Sequence, residues 1–544
     1  MSDAALKRCD EVGSSKHPLK DVKFSYGTAG FRTKANTLDP IMYRVGLMAA
    51  LRSVKFKGQY IGVMVTASHN PVCDNGVKIV DPYGDMMEEK WESYATTLAN
   101  APNGELAATL QDIAKALDLN LEDISKAKVI YGYDTRPSCP ELVASLVDGF
   151  NAIGVEVCKD LGVVTTPQLH FVTRCLNDPS YGEATLEGYY RKIAEAFKKI
   201  QGPGKGPEVV LDGANGVGAP RTNDFKKYVG KAFNVTIVND ASHKDDVLND
   251  SCGADFVKVQ QKAPNNVTPT HGVHYVSFDG DADRVMYYFF DKDMKFHMLD
   301  GDKIATLIGG YLAELVKDAG HSLNLGVVQT AYANGSSTAY LENEMKVPIA
   351  CTPTGVKHLH HAAKDFDIGV YFEANGHGTV IFDSKVEKKI RDTDASKLSA
   401  SQQEKHALLL NVIDLINQTV GDALSDALMV EVVLKQKNWT CEDWDACYTD
   451  LPNRQLKVSV KDRTAVQVTN AERQTTAPAG LQEAVDEAVA KYSKGRSFVR
   501  PSGTEDVVRV YAEAETRELC DQLAYEVAQI THRIAGGIGE APSQ

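Results

Sequence analysis

A serine that could act as a nucleophile lies in the hydroxyl-rich stretch Thr66 to Pro71. This stretch follows the apolar run Tyr60 to Val65, whose β-branched residues predict a buried strand. Such a strand delivers Ser68 onto a loop at its carboxyl end, and Gly76 is expected to let the chain turn back toward Lys78. Taken alone, the stretch is explained at least as well by an ordinary polar turn.

Three aspartates spaced two residues apart follow the apolar run Val273 to Phe278: Asp279, Asp281 and Asp283. In an extended chain such residues point the same way, so their carboxylates are expected to converge and to repel each other unless a cation neutralises them. A calcium loop of the EF-hand type needs glycine sixth and glutamate twelfth, where Arg284 and Phe290 stand. Ligands that are all oxygen favour Mg²⁺ over zinc, and an acidic turn without a metal is the alternative.

Near the carboxyl end, one glycine turn combines a cation, two hydroxyls and backbone donors: Arg500, Pro501, Ser502, Gly503 and Thr504. Arg509 lies on the strand predicted just after this turn. A nest of this kind is typical of phosphate sites. The turn Gly27 to Gly30 followed by Arg32 is a weaker pattern of the same sort, for which a surface arginine is an equally good explanation.

Glu373 and Asn375 follow the predicted strand Ile368 to Phe372. If the chain is extended there, both side chains lie on one face. A carboxylate beside an amide suits the hydroxyl groups of a sugar.

Strands and helices alternate along most of the chain, which is typical of parallel α/β sheets. We predict an α/β fold class with three α/β mixed-sheet domains plus a C-terminal α+β domain around a central cleft. The predicted divisions are a serine-loop domain, an aspartate-loop domain, a third α/β domain, a linker helix and the α+β domain: residues 1–175, 176–291, 292–400, 401–425 and 426–544. A strand is predicted near Leu428 to Leu434.

Composition limits the classes of function. With 544 residues, 43% hydrophobic and 24% charged, the chain is expected to form several ordinary globular domains. The net charge of -14 argues against nucleic acid or an anionic membrane as the main partner. The ten cysteines are scattered, and no apolar segment has signal-peptide or membrane-spanning length, which predicts a reduced, cytoplasmic protein.

Four of these stretches, taken together, resemble the α-D-phosphohexomutase family. Thr66 to Pro71 resembles the phosphoserine loop of that family, and Asp279 to Arg284 resembles its magnesium loop. Glu373 to Gly378 resembles the sugar-selecting loop, and Arg500 to Thr504 the phosphate loop. The four stretches occur in the family's order and span nearly the whole chain.

Two departures point to one branch of that family. In most members a strand ending in Asp-x-Arg and a Thr-Pro turn precede the serine loop, whereas here Asp134 to Arg136 and Thr165 to Pro167 follow it. Glucose and mannose enzymes usually have serine where Asn375 stands. Both departures resemble the branch that acts on N-acetylglucosamine phosphates, and an amide followed by Gly376 offers an acetamido group both room and a partner.

The resemblance implies that N-acetylglucosamine 6-phosphate and 1-phosphate are interconverted through a 1,6-bisphosphate, with Ser68 carrying the phosphoryl group. It implies Mg²⁺ held by four residues: Ser68, Asp279, Asp281 and Asp283. Lys78 and Arg32 are candidates to handle the hydroxyl proton, with His69 orienting the loop, and a lysine base would need a lowered pKa. The phosphorylated amino sugar is expected to contact Arg284, Thr354, Gly355, Glu373, Asn375, His377, Arg500, Ser502, Gly503, Thr504 and Arg509.

Other functions fit parts of the same pattern. A phosphoglucomutase or phosphomannomutase with an atypical sugar loop is one alternative, and a metal-dependent phosphatase using the same serine is another. A sugar-phosphate sensor without turnover belongs to a different class, since it would bind the sugar and leave it unchanged.

Overall fold

The computed structural model describes residues 3–20, 22–243, 247–502 and 506–543. The chain folds into two compact units. The first unit contains the residues up to Asp300 together with Asn375–Thr379 and Ala407–Asn438. The second unit contains Gly301–Ala374, Val380–His406 and the residues from Trp439 onward.

The amino-terminal part of the first unit is a five-stranded sheet with helices packed on it. Its strands are β1 (Phe31–Lys34), β2 (Tyr60–Val65), β3 (Asp74–Val80), β4 (Lys128–Tyr133) and β5 (Val157–Val163), in the order β1-β3-β2-β4-β5. Its helices are α1 (Asp3–Ser15), α2 (Asp39–Lys55), α3 (Lys90–Ala99), α4 (Leu106–Ala116), α5 (Cys139–Ile153) and α6 (Thr166–Asn177). Pro40 to Val54 of α2 are all buried, and α2 packs closely against α5 in an extensive hydrophobic core.

A second five-stranded sheet completes most of the first unit. Its strands are β6 (Glu208–Asp212), β7 (Asn234–Val238), β8 (His274–Phe278), β9 (Val285–Phe290) and β10 (Phe296–Leu299), in the order β10-β9-β8-β6-β7. The associated helices are α7 (Leu186–Gln201), α8 (Gly218–Val229) and α9 (Ala254–Gln260). The sheet is mixed, because β6 pairs in parallel with β7 and β8 while β9 is antiparallel to both of its neighbours.

The next four strands form a third sheet, in the order β12-β11-β13-β14: β11 (Leu325–Thr330), β12 (Ile349–Thr352), β13 (Ile368–Phe372) and β14 (Gly378–Phe382). Strand β11 is parallel to β12 and β13, which places their carboxyl ends at one edge of the sheet. The helices of this part of the chain are α10 (Gly301–Asp318), α11 (Gly335–Ala339), α12 (Val356–Ala363), α13 (Ser384–Arg391), α14 (Ala400–Leu415), α15 (Ala423–Lys437) and α16 (Cys441–Asp445).

The carboxyl-terminal part of the second unit is antiparallel. Its elements are β15 (Asn453–Ser459), β16 (Gln467–Thr469), β17 (Gln474–Ala477), α17 (Leu481–Val489), β18 (Arg496–Pro501), β19 (Val507–Glu513) and α18 (Arg517–Ile534). Strands β15, β19 and β18 form one sheet, and β16 and β17 form a separate two-stranded ribbon. The predicted mixed α/β fold class, with an α+β region at the carboxyl end, is confirmed.

The strand predicted near Leu428 to Leu434 is wrong, because these residues lie in α15. Every residue from Ala423 to Leu434 is buried, and within the first unit α15 packs against α7 and β9. A helix that is buried on all sides has no polar face, so its short β-branched run cannot be told from a buried strand by periodicity.

Across the described ranges, no helix is long and apolar enough to cross a membrane.

The expected turn at Gly76 is also wrong, because Gly76 lies inside β3 and pairs with Arg32 of β1. A Cβ atom at this position would lie 2.5 Å from the carbonyl oxygen of Phe31 and 2.7 Å from that of Thr66. Glycine is therefore required by close backbone packing rather than by a turn. The pairing puts Arg32 and Lys78 on adjacent strands of the sheet that presents Ser68.

Candidate active site

Ser68 lies on a tight loop directly after β2. The residue is 1% exposed, and its φ of 48° lies in the left-handed region that non-glycine residues seldom adopt. Its hydroxyl donates a hydrogen bond to Asp281 Oδ2 at 3.0 Å and accepts one from Arg32 Nη2 at 3.2 Å. The strained backbone conformation thus places one hydroxyl between a carboxylate and a guanidinium.

Arg136 holds the Ser68 loop in shape. Its two terminal nitrogens donate to four loop carbonyls, at 2.6 to 2.9 Å: those of Ser68, Asn70, Pro71 and Asp74. Its Nε lies 3.1 Å from Asp134 Oδ2, which also accepts a 2.7 Å hydrogen bond from the Thr66 hydroxyl. Both ionic side chains are fully buried, so each offsets the other's desolvation.

Sequence reasoning gave Asp134 and Arg136 no function beyond their place in the family's order. The signal lay in the strands, since β2 and β4 are parallel with Val65 opposite Tyr133. Residues that follow adjacent parallel strands meet at the same edge of the sheet. The Asp-x-Arg sequence after β4 therefore had to come close to the Ser68 loop after β2.

The three aspartates among the predicted metal ligands do converge. One carboxylate oxygen from each of Asp279, Asp281 and Asp283 can be chosen so that all lie within 4.8 Å of one another, and all three residues are buried. The reason given from sequence is wrong, because residues 279–284 form a turn in which Ala282 has a φ of 58°, rather than an extended segment. The turn is fixed by Asp279 Oδ1, which accepts hydrogen bonds from the backbone N–H groups of Asp283 and Arg284.

The donor atoms of this aspartate cluster fit a divalent cation. Three buried carboxylate oxygens have no hydrogen-bond partner among the described residues: Asp279 Oδ2, Asp281 Oδ1 and Asp283 Oδ1. Burial, and then the charges of Asp283 and Asp281, raise the pKa of Asp279 well above its ordinary value. Hard oxygen ligands with unmet charge are what Mg²⁺ binds best.

The aspartate loop is packed against the Ser68 loop. A Cβ atom at Gly280 would lie 2.5 Å from the Ser68 carbonyl oxygen, so a larger residue would push the two loops apart. Asn249 donates from its side chain to the carbonyls of Ser68 and Asn70 at 2.8 and 3.1 Å. The hydroxyl of Thr166, at the start of α6, donates to Asp281 Oδ2 at 2.6 Å. Neither Asn249 nor Thr166 was predicted as a site residue.

Lys78 lies among the predicted metal ligands. Its Nζ is 3.1 Å from Asp283 Oδ2 and 3.3 Å from Asp281 Oδ2. Burial lowers the pKa of Lys78, but Asp283 and Asp281 raise it by more, so the net pKa lies above the ordinary value. With these contacts Lys78 is a protonated donor, and it can accept a proton only when its carboxylate partners are engaged elsewhere.

The other basic side chains near Ser68 differ in charge state. Burial, followed by the charge of Arg284, lowers the pKa of Arg32, whose buried Nε finds no hydrogen-bond partner in the described part of the chain. Burial and then the cations Arg284 and Arg32 lower the pKa of His69 to about 2. His69 is therefore a neutral imidazole that can orient groups by hydrogen bonding, whereas Arg32 keeps one buried N–H group with no hydrogen-bond partner in the described part of the chain.

The loop after β13 is divided between the two units. Glu373 belongs to the second unit, whereas Asn375 and His377 belong to the first. His377 Nδ1 lies 2.7 Å from the Asp283 carbonyl oxygen, and Asn375 Oδ1 accepts a hydrogen bond from the His377 N–H at 3.0 Å. The side-chain Nε of Arg284 lies 4.0 Å from Asp279 Oδ2. These contacts attach the predicted sugar-binding residues of the first unit to the aspartate loop.

The second unit contains the predicted phosphate-binding residues. Thr354, which precedes Gly355 after β12, donates from its N–H and its hydroxyl to Glu472 Oε2 at 2.9 and 2.6 Å. Arg500 Nε lies 3.1 Å from Glu472 Oε1. Arg509 is the cross-strand partner of Arg500, and the Ser502 N–H bonds to the Val507 carbonyl at 2.9 Å. Gly503 and Thr504 lie outside the described residues.

Four domain families match the chain in sequence. "Phosphoacetylglucosamine mutase AMG1" domain II matches residues 187–286, and its domain III matches residues 300–439. The phosphoglucomutase/phosphomannomutase alpha/beta/alpha domain I matches residues 46–103 and 99–183, and the C-terminal domain of that group matches residues 460–530.

Whole-chain relatives agree with these domain matches. The phosphoacetylglucosamine mutase of Homo sapiens is 53% identical over 523 residues, which are 95% of this chain and 95% of the human protein. A crystal structure of Aspergillus fumigatus N-acetylphosphoglucosamine mutase in complex with GlcNAc-6P and magnesium has a TM-score of 0.93 and 47% identity, covering 98% of this chain and 100% of that one. A variant of the A. fumigatus enzyme in complex with glucose 1,6-bisphosphate has a TM-score of 0.92 and 46% identity, with the same coverage. The chain therefore belongs to the phosphoacetylglucosamine mutase family, a branch of the α-D-phosphohexomutases.

Proposed function

We propose that this chain interconverts N-acetylglucosamine 6-phosphate and N-acetylglucosamine 1-phosphate, through a phosphoserine at Ser68 and a bound 1,6-bisphosphate. The observation that carries the proposal is the Ser68 hydroxyl, 3.0 Å from Asp281 and 3.2 Å from Arg32, beside carboxylate oxygens that have no hydrogen-bond partner among the described residues. A phosphoryl group on that hydroxyl would lie between a cation site and a guanidinium. Family membership supports the choice of substrate, since a solved relative binds GlcNAc-6P.

The cation in this proposal is Mg²⁺, which a solved relative also binds. Its proposed ligands are the phosphoryl group on Ser68 and one oxygen each from Asp279, Asp281 and Asp283. When bound, Mg²⁺ would neutralise charge on the phosphoryl group during transfer.

The chain's own residues then position the exchange. The bond between phosphorus and Ser68 Oγ breaks as a sugar hydroxyl oxygen forms a new bond to phosphorus, and the proton of that hydroxyl passes through a base to Ser68 Oγ. The resulting bisphosphate reorients and returns its other phosphoryl group to Ser68 by the reverse step. Arg32 stabilises charge on the transferred group, His69 orients the loop, and Lys78 is the proposed base once its carboxylate partners are engaged by a cation.

Sugar and phosphate recognition is assigned to the remaining candidates. Glu373, Asn375 and His377 are proposed to contact the sugar, with the Asn375 amide beside the acetamido group. Arg284 of the first unit is proposed to contact the substrate. The phosphate that is not exchanged is proposed to bind residues of the second unit: Thr354, Gly355, Arg500, Ser502, Gly503, Thr504 and Arg509. Binding of this phosphate, remote from the reacting group, helps to orient the reacting group.

The test compares isomerisation of the 6-phosphates of N-acetylglucosamine, glucosamine, glucose and mannose, with and without added 1,6-bisphosphate. We expect the N-acetylated substrate to have the highest kcat/KM. Preference for glucose or mannose would instead identify a phosphoglucomutase or phosphomannomutase. Net release of inorganic phosphate would identify a phosphatase, and binding without turnover a sensor.

The covalent route is tested separately. Intact-mass analysis should find one phosphate on Ser68, and Ser68→Ala should reduce kcat by about 10³-fold or more. Ser145→Ala is the matched control, because Ser145 is a buried serine on α5 whose hydroxyl bonds to Asp39. Full turnover by Ser68→Ala would refute the phosphoserine.

We also propose that the enzyme acts in the cytoplasm. No two cysteines in the described part of the chain form a disulfide bond, as expected in a reducing compartment. Fractionation of cells that express the tagged chain tests this location.

A further inference from the structure

In the second unit, the donors of Thr354 and Arg500 form a site for an anion, called the anion site below. A carboxylate of the chain itself, that of Glu472, occupies this site. Glu472 Oε2 accepts both donors of Thr354, its N–H at 2.9 Å and its hydroxyl at 2.6 Å. Glu472 Oε1 lies 3.1 Å from Arg500 Nε. The proposed function assigns Thr354 and Arg500 to a phosphate of the sugar, so Glu472 and that phosphate would use the same donors.

The carboxylate satisfies this site only in part. Within the described ranges, the buried Arg500 Nε has no hydrogen-bond partner, because its N–H is not aligned with Glu472 Oε1 despite their ion-pair distance. Oε2 alone receives both Thr354 donors. A phosphate monoester offers three terminal oxygens instead of two, enough for both Thr354 donors and an aligned bond to the guanidinium.

The charges around the site also favour a stronger anion than one carboxylate. Arg500 of β18 and Arg509 of β19 are direct cross-strand partners. Side chains of such partners lie on the same face of the sheet, where two like charges destabilise the pairing. A phosphate dianion would offset both arginines more fully than the single charge of Glu472.

Glu472 is carried by an element that can yield. It lies in the loop that joins β16 and β17, beyond the part of the ribbon that packs against β18 and α17. Three successive residues of this loop, none of them glycine, have left-handed φ values of 51°, 55° and 65°: Asn470, Ala471 and Glu472. That conformation is strained, so part of the energy of the contact is spent on holding the loop in place.

We propose that Glu472 is an internal competitor for the substrate's phosphate, which must displace the Glu472 carboxylate from Thr354 and Arg500 in order to bind. The identity of the substrate rests on the proposed function, whereas the competition itself applies to any phosphate that uses these donors. Because an occupied site binds ligand only in the fraction of molecules where Glu472 has moved away, the residue raises the apparent dissociation constant and KM.

The test measures two quantities for Glu472→Ala, Glu472→Gln and the wild type. The first is the dissociation constant of inorganic phosphate by calorimetry, and the second is KM for N-acetylglucosamine 6-phosphate. We expect both to fall by roughly threefold to tenfold in Glu472→Ala, with a smaller fall in Glu472→Gln, since glutamine keeps an acceptor for Thr354 but loses the charge. Glu487→Ala, which removes an exposed glutamate from α17, should leave both unchanged.

The opposite result would show that Glu472 aligns Arg500 for the substrate. In that case both quantities would rise when Glu472 is removed, and the proposal would be overturned, as it would by values unchanged in both variants. Phosphate binding needs no turnover, so failure of the mutase assay leaves this test intact. If Glu472→Ala fails to fold, Glu472→Gln still distinguishes a fall in both quantities from a rise.

Discussion

The Ser68 loop of the first unit and the anion site of the second unit are held in contrasting ways. Arg136 alone donates to four carbonyls of the Ser68 loop, and Asn249 donates to two, in buried or partly buried surroundings. The donors of Thr354 and Arg500 meet one carboxylate, on the loop of a two-stranded ribbon. The Ser68 loop is held by many hydrogen bonds, whereas the anion site is occupied by one side chain that a phosphate can replace.

This difference follows from what each region is proposed to do. Phosphoryl transfer gains most from donors that are already in place, because reorganisation during the step raises its barrier. A site that binds a phosphate must also release it, and a site emptied of all anions would leave the half-buried arginines without a compensating charge. A resident carboxylate keeps such a site compensated until a better anion arrives.

Among the changes that test this contrast, loosening the Ser68 loop should have the largest effect. Arg136→Lys keeps the charge but loses the planar fork that reaches four carbonyls, so the Ser68 loop should shift. We expect kcat to fall by about 10²-fold, because a displacement of about 1 Å at the reacting group costs that much. Steady-state kinetics with N-acetylglucosamine 6-phosphate provide the measurement.

Arg44→Lys is the control for Arg136→Lys. Arg44 is another buried arginine of the same sheet region, and it donates to the carbonyls of His17, Pro40 and Ala101, away from the Ser68 loop. Both variants should lose stability, and only Arg136→Lys should lose kcat. Equal kcat in the two variants would mean that the Ser68 loop does not depend on its arginine.

Part of this organisation could be predicted from the sequence. The strand before Ser68, the strand before Asp279 and the parallel strand before Asp134 are short, apolar and followed by turn residues, which are local signals. The carboxyl ends of neighbouring strands meet by geometry alone, so the convergence of Asp134, Arg136 and Ser68 was implicit in the pattern.

The rest depends on contacts between residues far apart in sequence. Glu472 lies 118 residues from Thr354, and no local pattern links an exposed-looking hairpin loop to that turn. Helix α15 was mistaken for a strand because burial on every side removes the helical periodicity. The aspartates converge through a turn with a left-handed residue, Ala282, and alanine gives no sign of that conformation.

Removing the cation of the anion site should have an effect of intermediate size, on KM. Arg500→Ala removes the cation of the anion site, and we expect KM for the phosphosugar to rise by about 10- to 100-fold, as for a lost charge-assisted hydrogen bond. The value of kcat should change much less, since Arg500 is not among the described residues that touch the Ser68 hydroxyl. Arg533→Ala removes an exposed arginine from α18 and should change neither constant.

This result would sharpen the contrast with Arg136. A fall in kcat equal to that of Arg136→Lys would mean that Arg500 takes part in the transfer step itself. An unchanged KM would mean that the phosphate anchor has been misplaced.

The smallest effect concerns the stability of the aspartate cluster without metal. In Asp279→Asn the amide oxygen can keep the two backbone hydrogen bonds that Asp279 Oδ1 accepts. Its NH₂ replaces Oδ2, which accepts no hydrogen bond in the described ranges, lies 4.0 Å from Arg284 Nε and is close to two other carboxylates. In a chelating buffer near pH 7 we expect the variant to be more stable than the wild type by about 1–3 kcal/mol, since a buried unsatisfied group is removed. Urea unfolding provides the free energy of unfolding.

The raised pKa of Asp279 predicts how the stability of the metal-free protein changes with pH. Burial, Asp283 and Asp281 raise the folded-state pKa of Asp279, so between its unfolded and folded pKa values the native state holds a proton that the unfolded chain has lost. Stability of the metal-free wild type therefore falls as pH rises through that window, which begins near an unfolded pKa of about 4. Asp279→Asn has no titrating group at this position, so its stability relative to the wild type should grow with pH.

Saturating Mg²⁺ should make the wild type the more stable protein, because the metal stabilises only the state that binds it. A metal-free variant that is less stable than the wild type at pH 7 would show that the carboxylates do not repel one another as their geometry requires.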